Sequence, residues 1–377
     1  MKKIYLLYIV LISLATTSLI GCSDWTESEA KTFPESIVSD EYYAALRAYK
    51  QTDHQVAFGW FGGWSGEGAF MKSSLAGIPD SVDIVSIWDN GTNLSEAQRK
   101  DMAFCQNMKG TKSIYCSIIG GVGDKLTPQN ILDNWKEMGY NSKQEAINDF
   151  WGYPSDESNI EAVETSIRKY AKAIVDTLNL YGYDGFDIDY EPVAGPYTGN
   201  IVNSDEHLFF FIDELGKYLG PKSGTGKLLV IDGEPQRIST KPEIGTYFDY
   251  FIIQAYNPGG DSNLDGRLID GNVWGPALIA TFNGVMSEEE ITRRTIMTEN
   301  FEATDAAMDG GYPYTDRYGN SMKSLEGMAR WQPRNGFRKG GVGTYHMEAE
   351  FGTSPEYKNI RRAIQIMNPS SHSLLKN

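Results

Sequence analysis

Three observations predict a single-domain (β/α)8 TIM barrel over residues 50–377. Eight short runs rich in β-branched and aromatic residues recur along the chain, and amphipathic stretches separate them. About 330 residues follow the N-terminal segment, enough for one large barrel. No Pro/Ser-rich linker interrupts residues 50–368, and no repeat recurs at solenoid or propeller spacing. A doubly wound open sheet is the competing arrangement of the same elements.

The chain opens on an export signal. Lys2 and Lys3 precede an apolar stretch, residues 4–20, broken only by Ser and Thr. Leu19-Ile20-Gly21-Cys22 then resembles a bacterial lipobox, which makes residues 1–21 a signal peptide and Cys22 the lipidated first residue. A membrane-spanning helix is the competing reading of this stretch. The small Gly21 directly before a Cys, and the polar run Ser23-Asp24-Trp25-Thr26-Glu27-Ser28-Glu29 after it, favour lipidation. Residues 22–49 are read as a lipid-anchored tether leading into the barrel. The acidic stretch after Cys22 resembles the surface-export signal of Bacteroidetes lipoproteins. The expected place is therefore the outer membrane, facing the cell surface, with membrane contact through the lipid alone.

The strands come in order at 56–61, 82–88, 113–119, 184–191, 228–232, 251–256, 295–298 and 342–346. Between them lie helical patterns. In residues 160–180, Val163, Ile167, Tyr170, Ala171, Ile174 and Leu178 fall at i, i+3, i+4 spacing. Residues 207–219 and 357–367 behave alike. Long connections rich in Gly, Asn, Asp and aromatics follow several strand ends, at 121–159, 193–204, 258–275 and 302–323. In a barrel these loops share the C-terminal face, where catalytic groups sit, and would wall a broad cleft.

The fourth strand carries the most information. Asp184-Gly185-Phe186-Asp187-Ile188-Asp189-Tyr190-Glu191 sets three acids at every second position, so Asp187, Asp189 and Glu191 share one face. Such carboxylates stand about 6–7 Å apart, repel one another and lose solvation when covered. The arrangement separates pKa values, so that one carboxyl holds a proton while its neighbour stays ionised; paired carboxyls of that kind hydrolyse glycosidic bonds. A solvated edge strand or a divalent-cation site is the plainer reading. Tyr181-Gly182-Tyr183 before the run and Pro192 after it bound a short buried strand instead.

The net charge is −16, and removing residues 1–21 with Lys2 and Lys3 leaves −18. A chain so acidic is repelled by nucleic acid and anionic lipid, while a neutral sugar polymer fits. Cys105 and Cys116 remain besides Cys22, either bridged or as two buried thiols. The four histidines are far apart in sequence and no Cys/His spacing suits a metal. No metal, no cofactor and a monomeric protein are expected.

The eight residues 184–191 match the Asp-Gly-x-Asp-x-Asp-x-Glu signature, and the chain is thereby identified as resembling glycoside hydrolase family 18. The resemblance implies substrate-assisted retaining hydrolysis, an exception to the usual two-carboxylate scheme. Glu191 would protonate the glycosidic oxygen, with its pKa raised by its like-charged neighbour. Asp189 would orient the sugar's 2-acetamido group as nucleophile, and Asp187 would share a proton with Asp189. Gln254-Ala255-Tyr256-Asn257 resembles the sixth strand of the endo-β-N-acetylglucosaminidases more than the Met-x-Tyr-Asp of chitinases. Tyr256 would hydrogen-bond the acetamido carbonyl, with Gln254 and Asn257 lining the same subsite.

Two departures stand out. Ser117-Ile118-Ile119-Gly120-Gly121 has one residue more than the family's Ser-x-Gly-Gly. The eighth strand lacks the usual Trp, leaving Tyr345 or Met347 to floor the sugar subsite. Trp60, Trp64 and Trp88 near the first two strand ends, and Glu299 and Asn300 after the seventh, are further candidate sugar contacts. The expected function is an endo-β-N-acetylglucosaminidase that cuts the GlcNAc-β-1,4-GlcNAc core of an N-linked glycan or glycoprotein. A chitinase and a non-catalytic glycan-binding surface protein are the alternatives.

Overall fold

The computed structural model describes residues 39–68, 71–88, 91–193 and 199–369. The signal peptide, Cys22 and most of the tether lie outside the described residues. The chain divides into two units, 1–43 and 44–377. Of the first, only the residues beginning the helix Asp40–Lys50 are described.

Among the described residues ten strands follow: β1 (Val56–Phe61), β2 (Ile84–Ile87), β3 (Lys112–Ile118), β4 (Gly185–Tyr190), β5 (Leu228–Gly233), β6 (Tyr250–Gln254), β7 (Thr295–Asn300), β8 (Pro313–Thr315), β9 (Ser321–Lys323) and β10 (Gly341–Tyr345). β1 to β7 and β10 form a closed, all-parallel barrel, sealed where Val56 to Gly59 pair with Gly341 to Thr344. This is the TIM-barrel fold that the alternation of elements predicts. β8 and β9 form a small antiparallel hairpin inside the 302–323 connection, which the sequence reading treats as loop. Three-residue strands are too short to show a period.

The core has two layers. Val56, Phe58, Trp60, Ile84, Ile114, Cys116, Val230, Ile252 and Ile296 fill the barrel interior. A larger cluster packs the outer strand faces against the helices. β4 divides its side chains accordingly: Phe186, Ile188 and Tyr190 enter the outer cluster, where the helix Ile160–Tyr181 presents Val163, Ile167, Tyr170 and Leu178. That helix starts where Asn159 accepts from Ala162 N, and stops at Gly182, whose φ of 82° only glycine adopts freely. Its packing fixes the rotation of β4, and so turns the alternate residues, the acids, inward.

Candidate active site

Asp187 sits on β4 inside the barrel with no exposed surface. Its Oδ2 accepts from Trp60 Nε1 at 2.9 Å and from Ser86 Oγ at 2.7 Å, tying β4 to β1 and β2. One pleat further on, Asp189 stands in register with Asp232 of β5. A carboxylate oxygen from each, with Cys116 Sγ, lies within a 4.8 Å group. Cys116 donates to Asp232 Oδ2 at 3.9 Å, and Gln254 Nε2 donates to Asp232 Oδ1 at 2.8 Å. Cys105 and Cys116 are both free and buried.

Asp189 and Asp232 cannot both ionise freely at this range, with the charge of Asp187 acting on each. Burial, then the charges of Glu191 and Asp187, push Asp189 well above the usual carboxylate range. Burial, then Asp189 and Asp187, do the same to Asp232, with the Gln254 hydrogen bond pulling the other way. Burial raises Asp187 to about 6 against the hydrogen bonds of Ser86 and Trp60. Asp187 Oδ1 and Asp189 Oδ1 are buried without a donor among the described residues, which protons shared among the carboxyls would supply. The repulsion foreseen along the strand is therefore held by a triangle that includes a neighbouring strand.

Above this triangle opens a cavity of about 310 Å³. Asp189, Glu191 and Tyr256 all reach it, as do Gln254, Asn300, Trp88 and Tyr345. The rings of Trp88, Tyr345 and Tyr256 form one wall: Trp88 lies 5.5 Å from Tyr345, and Tyr345 stacks on Tyr256 at 6.2 Å. Gly62 makes room for Trp88, since a Cβ there would lie 2.8 Å from the indole. His346 Nδ1 pairs with Glu348 Oε1 at 2.6 Å, while Glu348 Oε2 accepts from Gly62 N at 3.0 Å, bracing the wall between β1 and β10. Burial and the charge of Asp232 raise Tyr256 far above its ordinary value, so its hydroxyl remains a donor. A second lobe of about 380 Å³ shares Trp88, Cys116, Asp189 and Tyr345 with the first and runs over β2 and β3 to Lys125.

Several predicted contacts lie elsewhere. Glu299 is fully buried and does not line the cavity; its Oε1 accepts from Asn257 N at 2.9 Å and Asn300 N at 2.8 Å. It secures the turn after β6, where Asn257 has a φ of 50°. Asn257 is exposed on that turn and does not line the cavity either. Trp64 is buried with Nε1 donating to Asp101 Oδ2 at 2.8 Å, a structural bond. Met347 packs under Gly59, so of the two candidates it is Tyr345 that lines the cavity. The extra residue on β3 is absorbed by Ile119, which donates its N–H to Asp189 O at 3.2 Å, before Gly120 and Gly121 both donate to Asp124.

Asp232, Cys116 and Glu302 line the cavity without having been singled out. For Asp232 the available signal was an acid ending an otherwise apolar strand, at the barrel end where Glu191 sits.

A family profile described as glycoside hydrolase family 18, BT1044-like, matches residues 20–366. The endo-beta-N-acetylglucosaminidase F2 of Elizabethkingia meningoseptica is 26% identical over 341 residues, covering 86% of this chain and 85% of that protein. The solved structure of a glutamate-to-glutamine variant of BT1044 superimposes with a TM-score of 0.70 at 32% identity, covering 88% of this chain and 93% of that one. An endo-beta-N-acetylglucosaminidase of Cordyceps militaris shares the fold with a TM-score of 0.57 at 20% identity, over 88% of this chain and 97% of the other.

Proposed function

The chain belongs to glycoside hydrolase family 18, and from that premise we propose that it is an endo-β-N-acetylglucosaminidase acting on the GlcNAc-β-1,4-GlcNAc core of N-glycans. The observation that carries this reading is the meeting of Glu191, Asp189 and Tyr256 on one cavity, with Asp187 and Asp232 buried beside Asp189. The likeness to an endoglycosidase over most of both chains supports the choice of substrate.

In the reaction Glu191 gives its proton to the glycosidic oxygen as the bond from that oxygen to C1 breaks. The acetamido oxygen of the same sugar forms a bond to C1 from the opposite face, giving an oxazolinium ion. Asp189 faces the acetamido N–H and Tyr256 O–H donates toward its carbonyl side, so the nucleophile is held at C1. Asp187 and Asp232 take up or return the proton as Asp189 changes charge. Glu191, now a carboxylate, removes a proton from water, which attacks C1 and reopens the ring with net retention.

Mass spectrometry of a high-mannose and a complex biantennary glycoprotein, each incubated with residues 23–377 and with Glu191→Gln, tests the proposal. Loss of the glycan that leaves one GlcNAc on Asn, absent with the variant, is the expected result. Cleavage of chitin oligomers with both glycoproteins intact would move the chain to the chitinases; glycan binding without any cleavage would make it a lectin-like member.

The proposal extends to placement. Lipidation of Cys22 would hold the enzyme on the outer face of the outer membrane, where it meets glycoproteins too large to import. Labelled palmitate incorporated by the parent and lost in Cys22→Ser tests the anchor. Protease digestion of the enzyme on intact cells tests the facing, and full protection would overturn it.

A further inference from the structure

Cys116, Asp189 and Asp232 bring a thiol and two carboxyls together from three neighbouring strands, β3, β4 and β5. One ligand atom from each lies within 4.8 Å of the others, and all three residues line the catalytic cavity. Cys116 Sγ stands 3.9 Å from Asp232 Oδ2. Around a tetrahedral zinc ion a thiolate sulfur and a carboxylate oxygen are roughly 3.5 Å apart, given bonds of about 2.3 and 2.0 Å. A small side-chain rotation closes that difference.

Asp189 Oδ1 marks the spot. It is buried and has no hydrogen-bond partner among the described residues, although its carboxyl reaches the cavity. A shared proton answers it in the resting enzyme; a cation would answer it and draw in the thiol as well. Gln254 Nε2 holds Asp232 Oδ1 at 2.8 Å, which leaves Oδ2 to the thiol side and fixes the carboxyl, as the outer partner of a metal ligand does. Among the described residues Asp189, Glu191, Asp232 and Glu302 line the cavity, and no lysine or arginine does. Such a wall attracts cations.

The donor set selects the ion. Calcium and magnesium take six or more oxygen ligands, and a buried thiol serves neither. Sulfur with carboxylate oxygens suits zinc and the heavier cadmium, and three protein ligands leave the fourth position to water. Burial, then the charges of Asp187 and Asp232, keep the Cys116 thiol protonated while no ion is bound. An ion reverses that balance: the sulfur lone pair bonds to the metal, and the S–H proton and the proton held among the carboxyls leave to solvent. The ligands come one per strand, too far apart in the chain to form a spacing motif.

We propose that Cys116, Asp189 and Asp232 bind a divalent ion of the zinc class, and that the bound ion closes the active site by taking the carboxylate that orients the substrate. The closure rests on the endoglycosidase reading; the binding does not. Residues 23–377 carrying Glu191→Gln, with Cys105 as the other thiol, are titrated with Zn2+ by calorimetry and with Cd2+ by the ultraviolet thiolate-to-metal band. One ion per chain and the band are expected. Cys116→Ser should abolish the band and weaken affinity on the order of 100-fold, and Asp232→Asn should weaken it on the order of 10-fold. Cys105→Ser should keep both the band and the affinity. Absence of binding, a band that survives Cys116→Ser, or one lost in Cys105→Ser overturns the site. With Glu191 restored, and free Zn2+ at about ten times its Kd, KM for the glycoprotein should rise roughly 10-fold with kcat unchanged, and a chelator should reverse it. In Cys116→Ser the rise, taken against that variant's own metal-free rate, should disappear. Undiminished cleavage with the ion bound overturns the closure. No cleavage by the metal-free enzyme, with binding still dependent on Cys116, sinks the endoglycosidase reading and leaves the metal site standing.

Discussion

Gln254 points its amide at Asp232, 2.8 Å away, and thereby acts on the carboxyl triangle from the neighbouring strand. It lines the cavity as the sequence suggests, but its hydrogen bond is given to an acid. This bond favours the ionised form of Asp232 and opposes burial. Gln254→Leu removes it, so Asp232 holds its proton to higher pH. The pH profile of kcat/KM should move upward, with a loss of roughly 10-fold at mildly acidic pH that shrinks as pH rises. A uniform loss at every pH would mean that Gln254 acts only by touching sugar.

Asp187 offers the opposite trade. Its folded pKa of about 6 lies above the usual 3.8, so between those values the folded state holds more proton than the unfolded one. Stability from this group is therefore full below pH ~4 and declines as pH rises to ~6. Asp187→Asn keeps an oxygen for Trp60 and Ser86 and removes the charge. It should be about 1–3 kcal/mol more stable than the parent above pH ~6, equal to it below pH ~4, and roughly 100-fold less active. Urea unfolding at both pH values, beside a rate assay, measures the exchange.

Tyr256 should contribute to turnover without adding a titration. Burial and neighbouring acids keep its hydroxyl protonated throughout the working range. Tyr256→Phe should lower kcat by roughly 100-fold with KM little changed and the shape of the pH profile preserved. A change confined to KM would assign the residue to ordinary ground-state packing.

Gly185 marks the place where β4 passes β5 too closely for a side chain. A Cβ there would stand 2.4 Å from Leu228 O, a backbone atom with no room to yield. Gly185→Ala should cost about 1–3 kcal/mol in thermal unfolding and lower activity by shifting Asp187 and Asp189 together. An unchanged melting temperature would show that the two strands can part.

The strands were legible because their side chains report a repeating environment. β1 is found where the sequence puts it, and β4, β5 and β10 differ by only a residue or so at either end. The acid ladder was legible for the same reason, since period two places its members on one face. Asp232 was not, because one acid on one strand has no period and its importance comes from Asp189 across the sheet. Glu299 and Asn257 show the converse: both stand near strand ends, yet one carboxylate is consumed in holding the other's backbone. Met347 and Tyr345 are two residues apart, and only tertiary packing under Gly59 separates their fates.

The seam between β1 and β10 bears on how this protein comes into being. Phe58 pairs with Gly343 across about three-quarters of the chain, and Tyr345, at the end of that last strand, completes the aromatic wall beside Asp189. A polypeptide emerging from its N-terminus displays the acidic signature long before it possesses a pocket. A chain ending upstream of Gly341 would carry all four carboxyls but neither the seam with β1 nor the Tyr345 ring that lines the cavity. The cavity is complete only once the final few dozen residues, β10 among them, are in place.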